Sequence, residues 1–142
     1  MKALGRQLLV ELYHCDADRI NDTQAVERAM LEATERSGAT VINSEFHEFS
    51  PYGISGMVII AESHVSIHTW PEYQYAAVDI FTCGDHIDPW IVQEALKEYF
   101  KSDTVSSMEV KRGLFKTPPG EDLPFKADPA SVANERKGGY SS

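Results

Sequence analysis

Residues 54–83, ISGMVIIAESHVSIHTWPEYQYAAVDIFTC, determine the architecture more than any other part of the chain. Residues 54–61 are β-branched and apolar, and the two halves of 63–83 alternate apolar with polar or aromatic side chains, which is typical of strands. The residues PEYQ at 71–74 carry the proline expected of a turn between those halves. This stretch therefore predicts a strand followed by a hairpin.

The flanking sequence supplies the rest of a two-layer domain. Further strands are predicted at 6–13, 40–49 and 104–115, and helices at 22–37 and 88–101. The first helix carries an apolar stripe and stops at a glycine, and the second has a proline in its first turn. We therefore predict an α+β fold, a two-layer sandwich of a mostly antiparallel sheet with two helices on one face.

The predicted domain ends near residue 115, because the composition changes after it. Four of the seven prolines lie beyond Lys116, with few apolar residues among them. Such a segment buries too little apolar surface to pack stably. We therefore expect a single domain over residues 1–115 and a flexible tail over 116–142.

The composition of the chain argues against several classes of protein. A formal net charge of −9 argues against binding to nucleic acid, which requires a concentrated cationic surface. Two cysteines do not make the disulfide framework of a small secreted protein. The sequence has no signal peptide pattern and no apolar run of membrane-spanning length. These features predict a cytoplasmic protein that neither spans a membrane nor binds nucleic acid.

Strand alternation gives the predicted hairpin one aliphatic face and one chemically reactive face. If the turn pairs Trp70 with Tyr75, then His68 lies opposite Ala77, and Cys83 lies beside the peptide bond between Glu62 and Ser63. In this register His68 and Cys83 share the reactive face, but they are separated by roughly 20 Å along the strand. One substrate centre is therefore not served by both residues of the same chain.

The reactive motifs resemble those of a known family. They are ESH at 62–64, HTWPEY at 68–73 and FTCG at 81–84, with FHEFSPYGISG upstream at 46–56. Together they resemble the pyruvoyl-dependent S-adenosylmethionine decarboxylase proenzymes of prokaryotes, of the short class 1B-like type. The similarity runs from about residue 4 to residue 115. A lone Glu-Ser-His would carry no weight, but motifs in this order over this length are specific.

The resemblance implies that the chain cuts its own backbone between Glu62 and Ser63. In the family, the serine hydroxyl attacks the preceding carbonyl and forms an ester by an N-to-O acyl shift. Elimination of the carboxylate leaves dehydroalanine, which hydrolyses to a pyruvoyl group and ammonia. The implied products are a β chain, residues 1–62, and an α chain, residues 63–142. This implies a zymogen whose cofactor is made from its own serine.

The resemblance also assigns roles to the surrounding residues. His68 is implied as the proton acceptor of processing and Ser55 as a hydrogen-bonding partner for its intermediate. The pyruvoyl group would form a Schiff base with the substrate amine and withdraw electrons as CO₂ leaves. Cys83 is implied as the proton donor, a role that suits a thiol because it is mostly protonated at neutral pH.

Substrate binding is implied for three further residues. Phe49 and Trp70 would sandwich the adenine of S-adenosylmethionine, and Glu72 would accept a hydrogen bond from its ribose. The product would be the aminopropyl donor of spermidine and polyamine synthesis. Because one chain does not bring His68 to Cys83, and because the family points the same way, we expect a homodimer with two shared active sites.

Four other interpretations compete with this one. A relative of the same fold could decarboxylate arginine or ornithine, and a dimeric binding module would not process at all. A Cys-His hydrolase lacks an evident residue to orient its histidine. His64 and His68 share a strand face, but no further ligands are marked, so no metal is predicted.

Overall fold

Two helices cover one face of a six-stranded antiparallel sheet in the computed structural model, which describes residues 2–61 and 63–116. The strands are β1 (Lys2–Tyr13), β2 (Val41–Glu48), β3 (Ile54–Ile60), β4 (Ser63–Trp70), β5 (Tyr75–Cys83) and β6 (Thr104–Phe115). The helices are α1 (Thr23–Arg36) and α2 (Pro89–Tyr99). The predicted α+β sandwich is confirmed. Glu62 lies outside the described residues, and so does the predicted tail except for Lys116.

The order of strands across the sheet is β2-β3-β4-β5-β1-β6, and neighbouring strands are antiparallel. The first strand of the chain therefore lies between β5 and β6. In the hairpin, Trp70 is opposite Tyr75 and His68 is opposite Ala77. The register predicted from the four-residue turn is confirmed.

One face of the sheet and the inner faces of the helices form the hydrophobic core. Burial alternates residue by residue along β5, as expected for a strand with one covered face. The core side chains are aliphatic ones of the four inner strands, β1, β3, β4 and β5, together with one stripe from each helix. Among those that are fully buried are Leu8, Val10, Val26, Met30, Val58, Val65, Ile67, Ile80, Val92 and Leu96.

The opposite face of the sheet carries no helix in the described part of the chain, and we call it the open face. Apolar side chains remain exposed on it, with Met57 at 40%, Ile59 at 44% and Met108 at 62% of their full accessibility. An apolar face of this kind is typical of a surface that a ligand or partner covers. The open face also carries the reactive side of the hairpin.

The predicted element ends differ from the observed ones by more than one residue at two places. β1 begins at Lys2 rather than at residue 6, because β6 extends far enough to pair Lys2 with Phe115. α2 ends at Tyr99 rather than at residue 101, because Lys101 adopts a φ of 56°. That left-handed conformation is incompatible with continuing a helix.

The helix starts follow the capping chemistry of the sequence. The Asp22 side chain accepts a hydrogen bond from the Ala25 N–H at 3.1 Å, and Asp88 accepts one from the Trp90 N–H at 3.0 Å. Each carboxylate satisfies one of the free amides of a first turn. In the described ranges, neither helix combines the length and apolar character needed to cross a bilayer.

Candidate active site

The site residues predicted from sequence fall into two groups on β4 and its neighbours. The first group lies where β4 begins and β5 ends. There the Ser63 hydroxyl donates a hydrogen bond to the Cys83 Sγ at 3.3 Å. We call these two residues the serine–cysteine pair. Both side chains are half-buried, so they are shielded in part and still accessible to a small molecule.

Gly5 lets β1 pack closely against this pair. It is the register partner of Cys83, and a Cβ built on it would lie 3.2 Å from the Cys83 Sγ and 2.7 Å from a ring carbon of Phe81. A side chain here would therefore collide with the Phe81 ring and crowd the thiol, so the close packing of β1 against Cys83 requires glycine.

The second group lines a cavity of about 210 Å³ at the other end of β4. The walls come from the end of β4, the start of β3 and the loops that follow β2 and β4. The lining residues are Phe49, Tyr52, Gly53, Ile54, Ser55, His68, Thr69, Trp70 and Glu72. Five of them, Phe49, Ser55, His68, Trp70 and Glu72, were singled out from the sequence.

Ser55 and His68 form a hydrogen-bonded pair at this cavity. They are directly opposite each other on β3 and β4, and the Ser55 Oγ is 2.6 Å from the His68 Nδ1. The hydroxyl orients the imidazole, which is exposed on the open face. A histidine held in this way is suited to accept or deliver a proton, because its ring is fixed relative to the strand.

The loop after β2 holds Phe49 at the cavity. The Phe49 N–H donates to the Gly53 carbonyl at 2.8 Å, and the Gly53 N–H donates to Asn21 Oδ1 at 3.0 Å. Gly53 has a φ of +102°, which favours glycine over any residue with a Cβ. The ring of Phe49 contacts that of His47 edge-on, with centroids 4.5 Å apart. These contacts close the loop over the end of the sheet.

Tyr52 also lines the cavity, although the sequence analysis did not single it out. Its phenol ring is about half exposed. It lies within the family-like motif at 46–56, but its place between Pro51 and Gly53 marks a loop and assigns no role to the ring.

One chain keeps the two groups apart. His68 is opposite Ala77, which precedes Cys83 by six residues on β5, so about 20 Å separates the histidine from the thiol. This agrees with the separation expected from the sequence. In residues 2–61 and 63–116, no three histidine, cysteine, aspartate or glutamate side chains are arranged to hold a metal ion.

Comparisons with known proteins give a consistent result. Residues 6–113 match the family described as S-adenosylmethionine decarboxylase. A Fervidobacterium nodosum protein named S-adenosylmethionine decarboxylase proenzyme is 49% identical over 94% of this chain and 98% of its own length. A protein of the same name from Acidithiobacillus ferrooxidans is 55% identical over 80% of this chain and 85% of its own.

A solved structure agrees with the sequence relatives. The crystal structure of the adenosylmethionine decarboxylase from Aquifex aeolicus superposes with a TM-score of 0.78 at 31% identity. The match covers 85% of this chain and all of that one.

Proposed function

This chain belongs to the S-adenosylmethionine decarboxylase family, and we propose that it becomes active by cleaving itself at Ser63. It is a decarboxylase that releases CO₂ from S-adenosylmethionine, the activity named for relatives about 50% identical over most of the chain. One observation carries the proposal for the site. The serine hydroxyl of the ESH motif lies 3.3 Å from the thiol of the FTCG motif, at adjoining strand ends.

Self-cleavage begins with the Ser63 hydroxyl as nucleophile. Its Oγ attacks the carbonyl carbon of Glu62, and the peptide bond is replaced by an ester. Elimination then releases residues 1–62 with a free main-chain carboxylate at Glu62 and leaves dehydroalanine at residue 63. Hydrolysis of the dehydroalanine releases ammonia and leaves a pyruvoyl group at the start of the new chain. When formed, this group supplies an electron-withdrawing carbonyl for the loss of CO₂. The fragments would be residues 1–62 and 63–142.

Cys83 is proposed as the residue that returns a proton after decarboxylation. Its Sγ contacts the side chain of residue 63, so the proton is held next to the reacting centre. The Cys83 side chain is only half-buried, so a small substrate can reach it. Positioned proton transfer of this kind typically contributes about 10²–10⁴-fold to a rate.

The two groups are proposed to meet across a homodimer interface. Within one chain, His68 is about 20 Å from Cys83. The exposed apolar side chains of the open face, among them Met57 and Met108, support its burial by a second copy. Such a dimer would place Ser55 and His68 of one copy at the serine–cysteine pair of the other, and it would form two identical sites.

The cavity supports a nucleoside substrate over a simple basic amino acid. The rings of Phe49 and Trp70 are exposed by 49% and 39%, and both line it. Two aromatic faces suit a purine base, and a carboxylate such as Glu72 accepts hydrogen bonds from ribose hydroxyls. Arginine and ornithine have neither a base nor a sugar to use these contacts. The product would serve as an aminopropyl donor for polyamine synthesis in the cytoplasm.

Denaturing mass spectrometry of the purified wild-type protein tests the proposal directly. We expect two fragments that end at residue 62 and begin at residue 63, the second with a blocked N-terminus. Release of labelled CO₂ should then occur from S-adenosylmethionine and not from arginine or ornithine. A chain that stays whole after prolonged incubation would contradict self-cleavage and favour a binding module.

Mixed dimers test the shared sites. A Ser63→Ala chain retains His68, and a His68→Ala chain retains Ser63, so a hybrid dimer contains one complete site. We expect cleavage of the His68→Ala chain only after the two are unfolded together and refolded, with mass identifying which chain is cut.

The matched control replaces a histidine outside the site. His14 is exposed and hydrogen-bonded to Asp103 at 2.6 Å. A His14→Ala chain should therefore cleave itself without being refolded with a second variant chain. Absence of cleavage in the hybrids, with dimers present by size-exclusion chromatography, would count against sites shared between copies.

A further inference from the structure

Three aromatic rings form a continuous stack on the open face. The rings of Trp70 and Tyr75 have centroids 5.3 Å apart at an interplanar angle of 25°. Tyr75 in turn stacks on Tyr13 of β1, with centroids 5.4 Å apart at 21°. The stack therefore crosses from β4 through β5 to β1. Near-parallel rings at these distances attract each other beyond their burial of apolar area.

Only one end of this stack reaches the cavity. Trp70 lines it, whereas Tyr75 is not among the described residues around it. Tyr75 therefore contacts the Trp70 ring on the side away from the cavity and supports it there. An aromatic ring that is packed on one side loses less rotamer freedom when a ligand stacks on it.

A carboxylate fixes the middle ring. The Tyr75 hydroxyl donates a hydrogen bond to Glu11 Oε2 of β1. Burial raises the pKa of Tyr75 well above its ordinary value, and the neighbouring Glu11 carboxylate raises it further. The phenol therefore stays protonated as a donor at physiological pH. Glu11 and Tyr13 lie two residues apart on β1, so both point to the open face and hold the same tyrosine.

We propose that Tyr75, anchored by Glu11, is a positioning residue that holds the Trp70 ring for stacking on the substrate's base. The proposal rests on the proposed function, because it gives Trp70 a purine to bind. Tyr75 acts through Trp70 and contacts no reacting atom. Its loss should therefore weaken binding and leave the chemical step intact, which raises KM with kcat unchanged.

Fluorescence measures the orientation of the ring without any substrate. The chain contains two tryptophans, so a Trp90→Phe background leaves Trp70 as the sole indole. In that background we compare the parent protein with Tyr75→Phe, Tyr75→Leu and Glu11→Met, the last of which has no oxygen to accept the Tyr75 hydrogen bond. Iodide quenching of Trp70 should increase at least about twofold in Tyr75→Leu, because the ring loses its stacked neighbour. Size-exclusion chromatography and circular dichroism verify that each variant is folded and assembled as the parent is.

Kinetics of the same proteins test the consequence for the reaction. We expect KM for S-adenosylmethionine to rise about fivefold to tenfold in Tyr75→Leu, with kcat within about threefold of the parent. Tyr75→Phe and Glu11→Met should each give a smaller rise in KM, and the double variant should not exceed the larger of the two, because both changes remove the same hydrogen bond.

Unchanged quenching and unchanged KM in Tyr75→Leu would overturn the proposal, and so would a fall in kcat with KM unaltered. If the parent protein failed to cleave or to release CO₂, the proposed function would fail instead. The quenching comparison would still report whether Tyr75 holds Trp70.

Discussion

A Ser63→Ala chain is expected to remain whole and to release no CO₂ from S-adenosylmethionine. Alanine has no hydroxyl to attack the preceding carbonyl, so neither the ester nor the carbonyl group at residue 63 can form. Both defects have one cause and should therefore appear together and completely. Denaturing mass spectrometry after prolonged incubation measures the first, and trapping of labelled CO₂ measures the second.

The control for this prediction is a serine that is exposed and away from the site. Ser107 lies on the edge strand β6, and Ser107→Ala should cleave and decarboxylate as the wild-type protein does. Cleavage of the Ser63→Ala chain at residue 62 would show that another nucleophile cuts the backbone. Decarboxylation by the uncut Ser63→Ala chain would refute the proposed origin of the cofactor.

Cys83→Ala is expected to separate processing from decarboxylation. The variant retains Ser63, Ser55 and His68, so it should still be cut into two fragments. Its rate of CO₂ release per cleaved site should fall by about 10²–10⁴-fold, because the proton donor beside residue 63 is missing. Single-turnover measurements on protein whose cleaved fraction is known by mass provide the comparison.

The other cysteine supplies the matched control. Cys15 is fully buried, and burial raises the pKa of its thiol to about 11. Iodoacetamide should therefore alkylate Cys83 in preference to Cys15 and inactivate the cleaved enzyme. Cys15→Ala should retain its activity and its sensitivity to the reagent. A cleaved Cys83→Ala enzyme with an undiminished rate would remove Cys83 from the mechanism.

Local patterns sufficed to predict the elements and one pairing. The four-residue turn fixed the register of β4 against β5, and alternation then placed His68 and Cys83 on one face and far apart. The resemblance to a known family, rather than strand alternation, assigned roles to five of the residues that line the cavity. Each of these inferences depended on neighbours in sequence or on specific motifs.

The features that could not be predicted depended on pairing between strands that are far apart in the sequence. No local pattern indicates that β1 inserts between β5 and β6, so the stack of Tyr13 on Tyr75 and the close approach of Gly5 to Cys83 were not predictable. Tyr52 was missed because a loop residue has no periodicity to reveal where its ring points. Element ends were missed where a long-range pairing or a left-handed residue decided them.

The place of β1 in the sheet has a consequence for a protein that severs its own backbone. β1 precedes the proposed cut, yet it pairs with β5 from Gly5 to Leu12 and with β6 from Lys2 to Tyr13, and both of those strands follow the cut. The two fragments therefore form one sheet, and separating them would break the backbone hydrogen bonds between β1 and both of its neighbours. Under native conditions, the two fragments should therefore co-migrate as one particle and unfold in one cooperative transition.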